Sequence, residues 1–144
     1  MTKMKFDKRV WMVVAVIVFI VVIYGLRNNP VDGQEKLDVM RRDMDVILMN
    51  GGVVAVRSQS YKYGAAYLYV GVDAKSWSPE LADKYSRGLV DIGWREVNSD
   101  EVVILCKKGI SAEVQRGMER GDGKAVYGIN MTYNALTIRR CKAG

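Results

Sequence analysis

The chain has 144 residues, with 22 basic and 16 acidic side chains and a formal net charge of +6. It contains no histidine, which excludes catalytic triads and metal sites that depend on imidazole, and we expect no cofactor. Four of the six excess positive charges belong to residues 1–27, so the rest of the chain is nearly neutral and a nucleic-acid partner is not expected.

An uninterrupted apolar run occupies residues 10–26 and predicts a single membrane-spanning helix. At the helical rise, such a run covers about 25 Å, the lower end of what crosses a bilayer core. A buried core helix would show a polar side, and a cleaved signal peptide would have small residues where Tyr24 and Leu26 stand. Trp11 and Tyr24 lie near the two ends of the run, where aromatic rings favour the headgroup layer, and are the predicted membrane-interface residues.

The basic residues that precede the apolar run predict its orientation. Four basic residues and one acidic residue occupy positions 1–9, and this imbalance favours a cytoplasmic N-terminus. We therefore predict a cytoplasmic tail (1–9), a transmembrane anchor (10–26), a linker (27–32) and an extracytoplasmic domain (33–144). In a bacterium this arrangement places the anchor in the inner membrane and the domain in the periplasm. In a eukaryote it would be a type II anchor facing the lumen, but the small size and short span favour the bacterium.

Two helices are predicted in the domain. The first covers about residues 33–49, with Asp32 and Glu35 in capping-box spacing. Its apolar residues recur at intervals of three and four: Leu37, Met40, Met44 and Ile47. Its charged residues are predicted to be solvated: Lys36, Arg41, Arg42, Asp43 and Asp45. The second helix starts with Ser78 as N-cap and Pro79 in the first turn, and ends at Gly93.

The remaining pattern is that of strands. Short β-branched or alternating segments predict strands at residues 53–56, 63–72, 94–97, 102–107, 110–114, 127–133 and 136–141. Consecutive strands with short connections favour an antiparallel meander. The predicted fold class is therefore α+β, with one N-terminal transmembrane helix followed by a small domain of two helices and a mainly antiparallel sheet.

Both cysteines, Cys106 and Cys141, fall in the predicted extracytoplasmic domain. In an oxidising compartment they are expected to form one disulfide, worth about 3–4 kcal/mol in the chain-entropy model. Two free thiols are the alternative. A metal site is less favoured, because two thiolates without histidine need carboxylates to complete a tetrahedral shell.

Two features indicate a surface for a protein partner. The first is a tyrosine stripe at odd positions: Tyr61, Tyr63, Tyr67 and Tyr69. Tyrosine is enriched at protein interfaces because it combines a large contact area with a hydroxyl group. The second feature is the loop predicted at residues 117–124, in which Arg120 and Asp122 are candidate contact residues. The alternative explanation of the stripe is that helices or neighbouring strands cover both faces of this strand.

No catalytic motif is evident in the sequence. Residues 117–124 resemble a phosphate-binding loop, but they have one residue too many before Gly-Lys, and Ala125 stands where Mg²⁺ needs a hydroxyl. Carboxylate pairs such as Asp43 with Asp45, or Glu113 with Glu119, have the spacing of ordinary surface acids. We predict no catalytic residues, no metal ligands and no enzymatic activity.

A small anchored domain without catalytic residues favours a binding function. One N-terminal span followed by a small α+β periplasmic domain with a disulfide is similar in plan to the colicin M type of immunity protein. This similarity implies an inhibitor that neutralises a toxin by direct binding at the outer face of the inner membrane. The alternatives are a single-pass subunit of an envelope machine for secretion, division or conjugation, and a hydrolase that acts through carboxylates alone.

Overall fold

The structure is a computed structural model that describes residues 8–28, 32–98 and 103–142. Its helices over these residues are α1 (Lys8–Asn28), α2 (Gly33–Leu48), α3 (Pro79–Asp91) and α4 (Ala135–Lys142). Its strands are β1 (Val54–Lys62), β2 (Ala65–Asp73), β3 (Arg95–Asn98), β4 (Val103–Lys107), β5 (Ile110–Gly121) and β6 (Lys124–Tyr133). The α+β class is confirmed.

Helix α1 contains the apolar run. Its 21 residues extend about 31 Å at 1.5 Å per residue, enough to cross a hydrocarbon core. The 18-residue segment Lys8–Gly25 has a mean hydropathy of 2.1, and none of it is buried by the rest of the molecule. Trp11 and Tyr24 are both exposed near its ends. The chain thus carries one helix that fits a single-pass membrane protein. The predicted tail lies largely outside the described residues, and the predicted domain bounds stay predictions.

The six strands form one antiparallel sheet in the order β1-β2-β6-β5-β4-β3. Strands β3 to β6 are a meander, as predicted, because each connection is short enough for neighbouring strands to pair. The connection from β2 to β3 contains α3, and β2 pairs instead with β6. The last long strand therefore lies in the middle of the sheet.

Helices α2 and α3 pack on one face of the sheet, which we call the helical face. The apolar residues of α2 recur every three or four positions, and the inward residues of the strands alternate, so the two patterns meet in one core. The fully buried side chains of this core include Leu37, Met40, Met44, Ile47, Leu68, Val70, Tyr85, Leu89, Leu105, Ile129 and Met131.

The start of α3 follows the predicted capping chemistry. The backbone N–H of Leu81 donates to Ser78 Oγ at 3.1 Å, and Pro79 occupies the first turn. Trp77, just before the cap, stacks on Tyr127 with ring centroids 4.8 Å apart. These contacts satisfy free N–H groups of the first turn and fix the direction in which the chain enters the helix.

The predicted capping box of α2 is wrong. The Asp32 side chain makes no hydrogen bond to the helix backbone. Its carboxylate instead accepts a hydrogen bond from the Tyr133 hydroxyl at 2.6 Å and lies 3.3 Å from Lys36 Nζ. Burial raises the pKa of Asp32, but the hydrogen bonds, above all the one from Tyr133, outweigh it and hold the pKa below its usual value. Asp32 thereby ties the start of α2 to the end of β6.

The predicted solvent exposure of Asp43 is also wrong. Asp43 is only 4% exposed, and its Oδ2 accepts hydrogen bonds from Trp94 Nε1 at 2.9 Å and from Lys107 Nζ at 2.8 Å. Lys107 also donates to the Ile92 carbonyl at 2.7 Å. A buried carboxylate needs such partners because the interior solvates charge poorly. This cluster joins α2 to the end of α3 and to β4.

The predicted strand at residues 136–141 is a helix, α4. Asn134 ends the preceding strand and caps the helix, because its Oδ1 accepts from the backbone N–H groups of Leu136 and Thr137 at 2.8 and 3.0 Å. The predicted Cys106–Cys141 disulfide is present, with an S–S length of 2.05 Å. It therefore joins a helix to β4, and does not join two strands as the sequence suggested.

The loop predicted at residues 117–124 is a β-hairpin. Strands β5 and β6 stay paired to Gly121 opposite Lys124, after an irregularity between Val114 and Met118. Only Asp122 and Gly123 lie in the turn, and both have positive φ angles, 49° and 76°. A two-residue Asp-Gly turn fixes the register of the strands that it connects, so pairing extends to its edge.

Candidate protein-binding face

The second side of the sheet, opposite the helical face, has different residues and a different environment. We call its part over β1, β2, β6 and β5 the open face. Helix α2 packs on β1 and β2, but from the opposite side. Alternation along the paired strands places these side chains on the open face: Ser58, Ser60, Tyr67, Tyr69, Ser111, Glu113, Glu119, Asn130 and Thr132.

Helix α4 lies at one end of this side of the sheet, where it contacts the start of β5 and the end of β6. Cys106 points away from the core, because its neighbour Leu105 points into it. The disulfide therefore holds α4 against the side opposite to α2 and α3, and Arg95 Nη2 on β3 donates to the Cys141 carbonyl at 2.9 Å. The uncovered surface begins beyond α4 and extends to β1.

Tyr67 and Tyr69 are the largest side chains of the open face. The Tyr67 hydroxyl donates to Asn130 Oδ1 at 3.3 Å, and the Tyr69 hydroxyl donates to Glu119 Oε2 at 3.2 Å. Partial burial, followed by the hydrogen bond to Glu119, raises the pKa of Tyr69 to about 12. Partial burial and the charge of Glu119 also raise the pKa of Tyr67. Both hydroxyls therefore stay protonated at neutral pH and keep donating these hydrogen bonds.

The ring of Tyr69 lies over a pair of glycines. Gly71 on β2 faces Gly128 on β6 in the sheet register. A Cβ atom added at Gly128 would lie 2.8 Å from Tyr69 Cε2 and would also clash with Gln115 Oε1. The glycines therefore leave the space that the aromatic ring fills, an arrangement known to stabilise glycines in sheets. Tyr69 is held in place by this contact and by Glu119, whereas Tyr67 is 38% exposed.

The four tyrosines of the predicted stripe do not lie together. Tyr67 and Tyr69 share the open face, but Tyr61 is on β1 opposite Ala66, a core residue, and so belongs to the helical side. Tyr63 lies in the turn between β1 and β2. The sequence put one strand across residues 63–72, whereas a hairpin turn at residues 63–64 separates two strands. Tyr61 and Tyr63 are both more than half exposed, and Tyr61 lines, together with Tyr67, one depression at this end of the sheet.

The β5–β6 hairpin adjoins the open face. Glu119, which binds Tyr69, lies on β5 near the turn. Arg120 follows it and points to the other side, while Asp122 occupies the turn itself. The structure thus brings the predicted hairpin residues near Tyr69 without placing Arg120 on the same surface.

Sequence reasoning missed several residues of this site: Gln115, Glu119, Gly128, Asn130 and Thr132. Alternation in β6 of apolar residues with Gly128, Asn130 and Thr132 was the available signal, because it marks one solvent-facing side. Gln115 Oε1 is buried against Gly128 and has no hydrogen-bond partner among the described residues.

The site's chemistry is that of contact and hydrogen bonding. A depression of about 230 Å³ at the Tyr67 end of the open face is lined in part by Ser60, Tyr67, Thr132 and Asn134. Within residues 8–28, 32–98 and 103–142, no group of three or more His, Cys, Asp or Glu residues could hold a metal ion. Comparison with protein-family models, curated proteins and solved structures found no match.

Proposed function

We propose that the chain is a single-pass protein of the bacterial inner membrane whose periplasmic domain binds another protein, as an immunity protein that neutralises a toxin. The proposal rests on one observation: Tyr67 and Tyr69 lie side by side on the face of the sheet opposite to α2, the helix that packs on β1 and β2. Tyrosine side chains supply large contact areas with a hydroxyl group, and protein interfaces are enriched in them.

The state of the two tyrosines supports a binding role. Tyr69 is fixed by Glu119 and by the glycine pair beneath its ring, so little side-chain entropy is lost when a partner covers it. Tyr67 is more exposed, and its hydroxyl donates to the half-buried Asn130 side chain. Such a combination of a rigid residue and an accessible one suits a contact surface.

The open face carries charges of both signs. Alternation along the paired strands places Glu113 and Glu119 on it, and Lys62, Asp73 and Lys124 on the same side at the ends of their strands. A partner surface with opposite charges at matching positions would gain both orientation and a faster association rate.

The location is part of the proposal. The basic residues before α1 favour a cytoplasmic N-terminus, and the Cys106–Cys141 disulfide is consistent with an oxidising compartment. A reporter fused to the C-terminus tests this directly. Alkaline phosphatase, which is active only outside the cytoplasm, should be active in the fusion, and an active cytoplasmic reporter would contradict the assignment.

The protective role has its own test. Cells that lack the protein should be killed by neighbouring parent cells, and plasmid-borne wild-type protein should restore survival. The Tyr67→Ala and Tyr69→Ala double variant should not restore it, whereas Val90→Ala, an exposed residue of α3, should. Equal survival of the deletion strain and its parent would contradict the immunity role.

A subunit of an envelope machine is the second candidate, because the whole apolar segment of α1 is exposed and could pack against other helices of a complex. Replacing residues 1–27 with an unrelated anchor separates the two functions. An immunity protein should still protect the cell, while a subunit that assembles through its span should lose its place in the complex.

A further inference from the structure

The two edges of the sheet differ in length and composition. Strand β3, at one edge, has four residues, of which Arg95 and Glu96 are charged. Strand β1, at the other edge, has nine residues, and all of those from Arg57 to Lys62 are exposed. Between these two charged residues lies the uncharged segment Ser58–Gln59–Ser60–Tyr61.

A long edge strand with an exposed, uncharged segment can pair with another strand. An edge strand presents a row of backbone N–H and C=O groups, which readily pair with another strand. Natural sheets protect such edges with short strands, central charges or proline, and β3 has the first two of these features. Strand β1 has a bulge at Val54–Val56 and the exposed Arg57, but it has no proline, is more than twice as long as β3, and carries no charge from Ser58 to Tyr61. This edge is therefore suited to pairing.

We propose that β1 pairs antiparallel with β1 of a second copy, so that two domains share one continuous sheet. The proposal goes beyond the open face, because the edge and that face are different surfaces. The partner strand is a second β1, because the residue pattern of β1 is complementary to that of the same strand running in the opposite direction.

One register satisfies this complementarity. With Gln59 opposite the same residue of the other copy, Arg57 faces Tyr61 and Ser58 faces Ser60 on each side of the centre. The arginine can then lie against the aromatic ring, and serine hydroxyls face one another. Arg57 Nη1 is already 2.9 Å from Asp45 Oδ1, which offsets its charge. No like charges are directly opposite each other.

A slip of one residue is unfavourable for two reasons. In one direction it would place Arg57 opposite Lys62 of the other copy, and like charges directly opposite one another are destabilising. It would also turn the second copy over, because side chains alternate between the two faces of a strand. Helix α2 of one copy would then lie on the opposite side of the joint sheet from α2 of the other.

The Gln59-centred register suits two chains in the same membrane. Its two-fold axis is perpendicular to the sheet, so both α2 helices lie on one side of the joint sheet. Both start at Gly33, directly after the segment that leads from α1. The two anchors can therefore enter one bilayer from the same side.

Cysteine cross-linking of the full chain tests the pairing. Gln59→Cys, in membranes treated with a mild oxidant, should give a disulfide-linked dimer, because residues directly opposite in this register lie within disulfide range. Glu96→Cys, an exposed position on β3, is the matched control and should cross-link at least about fivefold less, because the pairing keeps the two β3 edges apart. Equal yields for the two variants would overturn the proposal.

Two further experiments test the same strand pairing with other variants. Ser58→Cys mixed with Ser60→Cys should cross-link better than either variant alone, since the register sets these positions opposite each other. Gln59→Lys should weaken the dimer of the full chain in detergent by about two- to fivefold, and mixing it with Gln59→Glu should restore association. A full chain that sediments as a monomer at every concentration tested would also refute the dimer.

Discussion

The two faces of the sheet are built from the same strands but have different roles. On the helical face, Leu68 and Val70 of β2 are fully buried beneath α2 and α3. On the open face, Tyr67 and Tyr69 alternate with them and contact polar groups. The period of two in a strand makes this division possible, because stability can come from one side while the other is left free for binding. Substitutions on the two faces should therefore have separable effects.

The largest expected effect concerns the buried charge of the helical face. Asp43→Ala removes the carboxylate that Lys107 and Trp94 contact and leaves an ammonium group in a largely buried site. Breaking one half of a buried pair should lower the free energy of unfolding by about 3–5 kcal/mol. Urea unfolding followed by circular dichroism measures this.

The control for Asp43 is Asp38→Ala, on the exposed side of the same helix. Asp38 pairs with Arg41 in a solvated ion pair, so its loss should change stability by less than about 0.5 kcal/mol. Equal effects of the two variants would show that the buried cluster has no special role in the helical face.

The next effect concerns the disulfide, which lies on the other side of β4 from the core. The Cys106→Ser and Cys141→Ser double variant should lose about 2–4 kcal/mol of stability. Helix α4 should also become sensitive to limited proteolysis, because the bridge and the Arg95 contact hold it on the sheet. The alternative outcome, unchanged stability and an intact α4 after proteolysis, would mean that packing alone holds the helix.

A smaller effect is expected from a substitution of Gly128, which lies beneath the ring of Tyr69. Gly128→Ala adds a Cβ atom 2.8 Å from Tyr69 Cε2, so the ring must move and stability should fall by about 1–3 kcal/mol. Binding should weaken as well, because the tyrosine loses its position. Gly117→Ala is the control on the neighbouring strand, since nothing lies within 4 Å of its added atom. If both variants bind and unfold like the wild type, Tyr69 is not held as described.

Tyr67→Ala should separate binding from stability. Tyr67 is itself 38% exposed and its hydroxyl makes one long hydrogen bond, 3.3 Å, to Asn130 among the described residues, so the free energy of unfolding should change by less than about 1 kcal/mol. Affinity for the partner should nevertheless fall at least about tenfold, as is typical of aromatic residues central to an interface. Calorimetry with the purified partner measures this loss, and unchanged affinity would remove Tyr67 from the binding face.

The smallest effect is the titration of Tyr69. Burial, followed by the hydrogen bond to Glu119, raises its pKa to about 12, so the protonated form stabilises the fold fully below about pH 10 and less as the pH approaches 12. The pKa values of Tyr67, Tyr85 and Tyr133 are raised as well, so ultraviolet absorbance should show several late-titrating tyrosines, one of which Tyr69→Phe removes. A spectrum in which every tyrosine titrates near pH 10 would contradict the hydrogen bond.

The sequence predicted the parts of the fold that have strong local signals. The apolar run, the Ser78–Pro79 start of α3 and the pairing of Cys106 with Cys141 each follow from local chemistry or simple counting. The edge strand β1 was predicted only at residues 53–56; its continuation over residues 57–62 was missed because these polar residues have neither an apolar side nor alternation. The prediction of a strand at residues 136–141 was wrong, because it followed the β-branched residues of this segment and ignored Asn134, which caps a helix.

The site was harder to predict than the fold because it depends on register. Tyr67 and Tyr69 follow from alternation within one strand, but their partners Asn130 and Glu119 are 63 and 50 residues away in the chain. The burial of Asp43 could have been anticipated, since it lies three residues after Met40 and one before Met44 on the apolar stripe of α2. A charged residue at the edge of such a stripe calls for a buried partner.

Site-specific photo-crosslinking in living cells tests the central claim most directly. A photoreactive phenylalanine analogue at Tyr67 should give one dominant adduct with another protein, whereas the same analogue at Val90, exposed on the helical side, should not. A strong adduct at Val90 with none at Tyr67 would contradict the open face as the binding surface.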